Sequence, residues 1–174
     1  MEKGLVLINT GDGKGKTTAA LGTAIRALGR GLRVAILQFI KNQETGEGLF
    51  LADYAARRPE SLFYRRLGLG CLKGPPRPED LAKAAEAMAL ARELAADAYD
   101  LLVLDEICVA AALGLIETSE VVRLIETRRP GLNLFLTGRG AAPEIIALAD
   151  TVTEMKLIRH AYEKGVPARR GLEY

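Results

Sequence analysis

With 174 residues, about half apolar and a quarter charged, the chain fits one soluble domain spanning 1–174, which buries roughly two-thirds of its unfolded surface without disulfides. Its 24 basic and 22 acidic residues leave a net charge of +2, which gives no basis for broad binding to nucleic acid or an anionic membrane. Cys71 and Cys108 have neither a CxxC spacing nor a Cys/His neighbourhood, which argues against zinc. With no signal peptide and no apolar run of membrane-spanning length, they read as reduced thiols of a cytoplasmic protein.

In chain order, residues 5–9 (LVLIN) read as a short buried strand stopped by Thr10 and Gly11. Residues 17–28 carry small and apolar side chains at helical spacing, closed by Gly29 and Gly31. Between them lies Thr10-Gly11-Asp12-Gly13-Lys14-Gly15-Lys16-Thr17-Thr18. Glycines there let successive amides point inward at an anion, and the following helix adds the positive end of its dipole. Lys16 is spaced for phosphate oxygens and Thr17 for a magnesium ion that carries them. The strict phosphate-loop pattern asks for glycine at position 10; here the residue is Thr10 and the glycine follows at Gly11.

A second strand is predicted over 33–40 and a weaker one over 62–67, with 41–59 between them read as loop or irregular helix. Residues 68–78 hold three glycines and three prolines and predict a mobile loop. Residues 79–97 read as an amphipathic helix whose inner face is Leu81, Ala84, Ala85, Met88, Ala91, Leu94 and Ala95. The apolar strand 101–104 runs into Asp105-Glu106, the form of a Walker B strand that holds magnesium directly or through water; spacing leaves open which carboxylate does so. Thr118 or Ser119 is expected to cap a helix reaching about Thr127. A strand over 132–136, a short helix entered at Pro143 and a last strand over 151–155 complete the pattern.

Strands alternating with helices predict an α/β fold, a mostly parallel sheet with helices on both faces. Arg26 near the end of the first helix and Arg139 after LFLTG are candidates for charge on a polyphosphate. His160, the single histidine, reads as a surface or packing residue.

The segments TGDGKGKTTAALGTAIRALGRG, VAILQFIK, LLVLDE, LTGRGAAPEIIALADTVTEM and RHAYEKGVPARRGLEY occur in the order of one family. The chain resembles the P-loop class of corrinoid adenosyltransferases. The resemblance implies a RecA-like P-loop NTPase fold, a homodimer, and ATP and a corrinoid as substrates. It also implies Mg2+ or Mn2+ with the ATP, and a separate electron donor that reduces the corrinoid. Reduced cobalt attacks the 5′ carbon of ATP and triphosphate leaves; Co(I) is itself a strong nucleophile, so the protein need only position the reactants and stabilise departing charge.

Carried onto this chain, the resemblance gives triphosphate contacts to Gly11, Asp12, Gly13, Lys14, Gly15, Lys16 and Thr17, with Thr18 completing the motif. Arg26 and Arg139 become phosphate-side arginines and Glu106 the acidic residue near the metal. Lys16, Arg139 and Glu106 are thus the catalytic candidates, and Thr17, Asp105 and Glu106 the metal candidates. Some relatives carry an N-terminal helical extension where only residues 1–3 precede the first strand here. Relatives also carry aromatic residues under the corrin where this chain has Leu69, Cys71 and Leu72. Two other readings stay open: a RecA-like ATPase or kinase, distinguished by an ADP product, and a regulatory module that binds ATP without turnover.

Overall fold

The structure, a computed structural model, describes residues 3–70, 72 and 74–174. Along the chain these form β1 (Val6–Thr10), α1 (Lys16–Gly29), β2 (Val34–Gln38), α2 (Gly46–Arg57), β3 (Leu62–Arg66) and α3 (Pro78–Ala96). There follow β4 (Leu101–Asp105), α4 (Ile107–Ala112), α5 (Thr118–Thr127), β5 (Asn133–Thr137), α6 (Pro143–Ile146) and β6 (Thr151–Glu154). A 3-10 turn at Ala161–Lys164 lies in the C-terminal segment.

The six strands form one sheet in the order β3-β2-β4-β5-β1-β6, every neighbouring pair parallel. The two-residue period of a strand sends alternate side chains to opposite faces, and both faces are apolar. Ala35 and Leu37, Leu102 and Leu104, and Leu134 and Leu136 pack on one side with α3, α4 and α5. Val34 and Ile36, Leu101 and Val103, and Phe135 pack on the other with Ala20 and Ala24 of α1 and Leu51 of α2. The continuous apolar runs of β2 and β4 follow from burial on both sides.

Three local expectations are corrected. Residues 41–59 contain a regular helix, α2, whose N-terminus is capped by Thr45 Oγ1 accepting from the Gly48 amide at 3.2 Å. Gly46 and Gly48 lowered the helical signal there, while the cap and packing of Leu51 against the sheet restore it. On α3 the buried ladder runs through Ala84, Ala87, Met88, Ala91, Leu94 and Ala95; Leu81 and Ala85 face solvent. The stripe is rotated because Ala87, not Ala85, meets the sheet. Helix α5 begins at Thr118 after Glu117, without a side-chain cap from Thr118 or Ser119. Helix α4 had no expectation in the sequence, being six residues long and entered directly from a strand.

Because all strands are parallel, their carboxyl ends share one edge, where such sheets place ligands. That edge gathers Gln38, Asp105, Thr137, Thr10 and Glu154.

Candidate nucleotide and metal site

The loop from Gly11 to Gly15 joins β1 to α1. Gly15 sits at φ 110° immediately before the helix, a conformation that side chains rarely adopt. Gly13 lies so close to the residue after β6 that an added Cβ would stand 2.6 Å from the Met155 carbonyl, to which the Gly13 amide itself donates at 2.6 Å. Helix α1 has no side-chain cap and no acidic residue in its first turn. Its first amides and the positive end of its dipole are thus available to an anion.

Lys16 is 8% exposed, and its ammonium donates to the Gly11 and Gly13 carbonyls at 2.6 Å each. Burial first, and Arg139 further, hold its pKa below the ordinary lysine value, against the pull of Glu106 and Asp12. Lys14 points the other way: it donates to the Leu172 carbonyl at 2.9 Å and pairs with Glu173 at 2.5 Å.

Two strand spacings, about 10 Å, separate β1 from β4, yet Thr17 and Asp105 meet. Helix α1 bridges the gap, laying Ala20 and Ala24 against Phe135 of β5 and Val103 of β4. Thr17 Oγ1 donates to Asp105 Oδ1 at 2.8 Å. Asp105 is completely buried and collects further donors: Thr137 Oγ1 at 2.7 Å, Gln38 Nε2 at 3.0 Å and the Lys41 ammonium at 3.2 Å. Tyr64 extends the chain by donating to Gln38 Oε1 at 2.7 Å. A buried carboxylate needs such partners, since leaving it unpaired in a low-dielectric interior is costly.

Glu106 is separated from this hub by its own backbone. Its φ of 63° is the sole positive value among described non-glycine residues, and its amide donates to Thr137 Oγ1 at 2.9 Å. Burial, then the charge of Asp105, pushes its carboxyl above the ordinary value, with Lys41, Lys16 and Arg139 pulling it back. The two adjacent acids therefore occupy different environments, a distinction spacing left open.

Arg139 is exposed and approaches Asp12 at 3.8 Å across the mouth of the loop. Arg26 is not brought there within one chain: nine helical residues, about 14 Å of rise, lie between it and Thr17. Leu69 is exposed, but its backbone is docked, because Asn42 Nδ2 donates to the Leu69 carbonyl at 2.7 Å and Gly70 N to Ile40 O at 2.8 Å. Leu72 is half-buried; Cys71 lies outside the described residues. His160 Nδ1 accepts from the Tyr162 amide at 3.1 Å and caps the 3-10 turn. Cys108 is a buried free thiol whose pKa burial pushes up to about 12, so it is chemically quiet.

Lys41, Gln38, Glu47 and Thr137 belong to no motif whose spacing points to the site. The first two stand in the segment VAILQFIK, but their convergence on Asp105 depends on strand order. Among the described residues no three acidic, histidine or cysteine side chains cluster as a self-sufficient metal cage. The donor set nevertheless fits a phosphate-borne divalent ion: a hydroxyl and a carboxylate meet at the mouth of an anion-binding loop, and a cationic ammonium already lies against both.

A glycine-rich loop feeding a helix, with a single strand between its own strand and the carboxylate strand in a parallel sheet, defines a P-loop nucleotide-binding protein of RecA-like fold. Solved structures agree on that fold. A KaiC-like protein from Pyrococcus horikoshii superposes with a TM-score of 0.54 at 20% identity, covering 91% of this chain and 75% of that one. The flagellar accessory protein FlaH of Methanocaldococcus jannaschii gives 0.53 at 14% identity, covering 88% and 72%.

Sequence comparison is narrower. The family model described as ATP:corrinoid adenosyltransferase BtuR/CobO/CobP matches residues 2–174. A corrinoid adenosyltransferase of Pseudomonas aeruginosa is 41% identical over 99% of this chain and 85% of its own length. One of Escherichia coli strain K12 is 36% identical over 99% and 87%. The chain belongs to the ATP:corrinoid adenosyltransferase family.

Proposed function

We propose that this ATP:corrinoid adenosyltransferase works as one domain over residues 1–174, with the Gly11–Thr17 cradle holding the triphosphate that departs. The observation that carries the reading is the uncapped N-terminus of α1 above a glycine loop, with Lys16 and Thr17 at its base and Asp105 behind them. Incoming phosphate oxygens take over the Lys16 ammonium from the Gly11 and Gly13 carbonyls. Asp12, Lys14 and Thr18 frame the same loop from its exposed side. The reduced corrinoid supplies the nucleophile, so a new Co–C bond forms at the 5′ carbon as the C5′–O bond breaks and its electron pair leaves with triphosphate. Lys16, the α1 amides and Arg139 meet that growing charge in a preorganised setting.

Thr17 and Asp105, together with the phosphates, would hold Mg2+ or Mn2+, which would supply charge neutralisation there. Glu106 lies beside the same site and joins Asp105's network through its backbone amide, which donates to Thr137 Oγ1. Arg26 reaches a triphosphate only if ATP extends along α1 or a second copy of the chain supplies it; the homodimer rests on family resemblance. Leu69, Cys71 and Leu72 are our candidates for the lower corrin face, where apolar groups favour four-coordinate cobalt and exclude water. Exposed Leu69, whose segment is held by Ile40 and Asn42 on either side of Lys41 in the chain, supports the placement of that loop near the phosphate site. An external electron donor and a cytoplasmic setting complete the reading; no helix among the described residues is long and apolar enough to cross a membrane.

The test is anaerobic incubation with ATP, Mg2+ and chemically reduced corrinoid, followed by visible absorbance and phosphate-product analysis. Adenosylated corrinoid and triphosphate in equal amounts are expected. ADP and phosphate would instead identify an ATPase or kinase, and ATP binding without turnover a regulatory module. Lys16→Ala is expected to lower kcat by about two orders of magnitude, corresponding to roughly 3 kcal/mol of lost charge stabilisation. Near-normal activity of that variant at saturating ATP would remove the loop from the reaction.

A further inference from the structure

Lys41 is a cation at the site that the proposed reaction does not use. It follows β2, with a side chain 25% exposed, and its ammonium turns inward instead of reaching for water along its flexible stem. Three acceptors from three elements receive it: Asp105 Oδ2 of β4 at 3.2 Å, Glu47 Oε1 of α2 at 3.3 Å and Thr17 Oγ1 of α1 at 3.3 Å. Burial opposes its charge, but Asp105 and then Glu47 hold it protonated above the ordinary lysine range.

The lone pairs involved decide what this arrangement does. Thr17 Oγ1 gives its single proton to Asp105 Oδ1, so it can offer only lone-pair density to anything else. Lys41 takes that density, together with an oxygen of Asp105. A hard divalent cation bound by this hydroxyl and carboxylate would draw on the same two oxygens and lie within a few ångströms of the ammonium's positive charge. The ammonium and the metal are therefore competitors.

We propose that Lys41 is a built-in placeholder cation: it neutralises the Thr17–Asp105 site while ATP is absent, and it yields that place when a divalent cation arrives with the triphosphate. The inference rests on the reading of Thr17 and Asp105 as metal-side residues, and it adds an order of loading. Without phosphate oxygens a hydrated divalent ion finds few protein ligands here and loses to a tethered ammonium. With them, the doubly charged ion gains enough ligands to win, and the displaced ammonium remains beside Glu47 and the new phosphate charge. The empty enzyme is thereby guarded against loading with metal alone.

The readout is Mn2+ binding to the full chain without ATP or corrinoid, measured as loss of the free-ion EPR signal. Wild type is expected to bind weakly. Lys41→Met is expected to bind Mn2+ at least about tenfold more tightly, since a competing positive charge within a few ångströms has gone. Lys41→Arg, which keeps the charge, should stay near wild type. Lys41→Gln replaces the methionine variant if the latter fails to fold.

A parallel equilibrium dialysis measures ATP binding to wild type with and without Mn2+. If Mn2+ promotes ATP binding but neither uncharged variant tightens ATP-free Mn2+, the placeholder idea is overturned and the metal site survives. If Mn2+ has no influence on ATP binding by wild type, the metal site falls and the placeholder with it. An arginine variant that tightens Mn2+ as much as the methionine variant would also overturn it, because charge would then not be the cause.

Discussion

Asp105 and Glu173 are carboxylates that meet the phosphate-loop region from opposite sides, and the chain holds them in opposite ways. Asp105 ends a strand with no exposed residue, is itself fully buried, and is fixed by Thr17, Thr137, Gln38 and Lys41. Glu173 belongs to a C-terminal segment that is exposed almost throughout, and its tie to the loop is one ion pair with Lys14. The strands differ in the same way, since β4 is buried along its length and β6, at the sheet edge, is exposed along its own. The contrast teaches where rigidity is placed. Groups that must hold charge in fixed positions stand in the interior, where dielectric screening is weak. The segment that meets water is tied by contacts that screening makes weak.

The largest effect that would sharpen this contrast is expected from Asp105→Ala. It removes the acceptor for two hydroxyls, an amide and an ammonium, and each buried donor left unsatisfied costs about 1–3 kcal/mol. Urea denaturation should therefore show a loss of several such increments, with adenosyltransferase activity near background. A variant as stable as wild type would mean the hub is not rigid and would erase the difference between the two regions.

Arg139→Ala comes next. Its side chain is exposed and only loosely associated with Asp12, so folding stability should be nearly unchanged. Loss of an arginine directed at triphosphate charge should lower kcat by roughly ten- to a hundredfold, with little change in ATP affinity. An effect confined to ATP affinity would move Arg139 from the reaction to binding alone.

The pH dependence of Glu106 gives a smaller, directional effect. Its folded-state pKa lies above the ordinary 4.5, chiefly through burial. The folded chain thus holds the proton more tightly than the unfolded chain. The stability this contributes is fully present below the unfolded value and lost as pH rises through the folded one. Glu106→Gln should flatten that decline, so its stability relative to wild type should improve as pH rises above about 4.5. A difference that stays constant across that window, measured by denaturation at several pH values, would show Glu106 to be as well solvated as an exposed acid.

Glu173→Gln should do least. The ion pair with Lys14 joins two partly exposed side chains, a class worth under about 1 kcal/mol and weakened by salt. Stability and kcat should stay within twofold of wild type. A large drop in kcat would mean that the C-terminal segment holds the loop in its working shape, and the two regions would then be less different than their burial suggests.

The phosphate loop was legible from residue order because its function is local: the glycines, Lys16 and Thr17 lie within seven residues, and a strand must precede them and a helix follow. The strands buried on both faces were equally plain as unbroken apolar runs. Helix α2 was obscured by Gly46 and Gly48, whose cost is offset by a cap and by burial of Leu51. Asp105 and Glu106 could not be told apart in sequence, since both follow the same apolar run. What separates them is the turn at Glu106, with its positive φ, and the arrival of Gln38 and Thr137 from the flanking strands. Lys41 drew no role because its partners stand 6, 24 and 64 residues away. By itself the sequence determined the alternating α/β pattern, the anion cradle and the family. Tertiary structure alone decided which carboxylate is the buried hub and which ammonium lies against it, because parallel pairing brings the ends of distant strands to one edge, a closeness that no local spacing encodes.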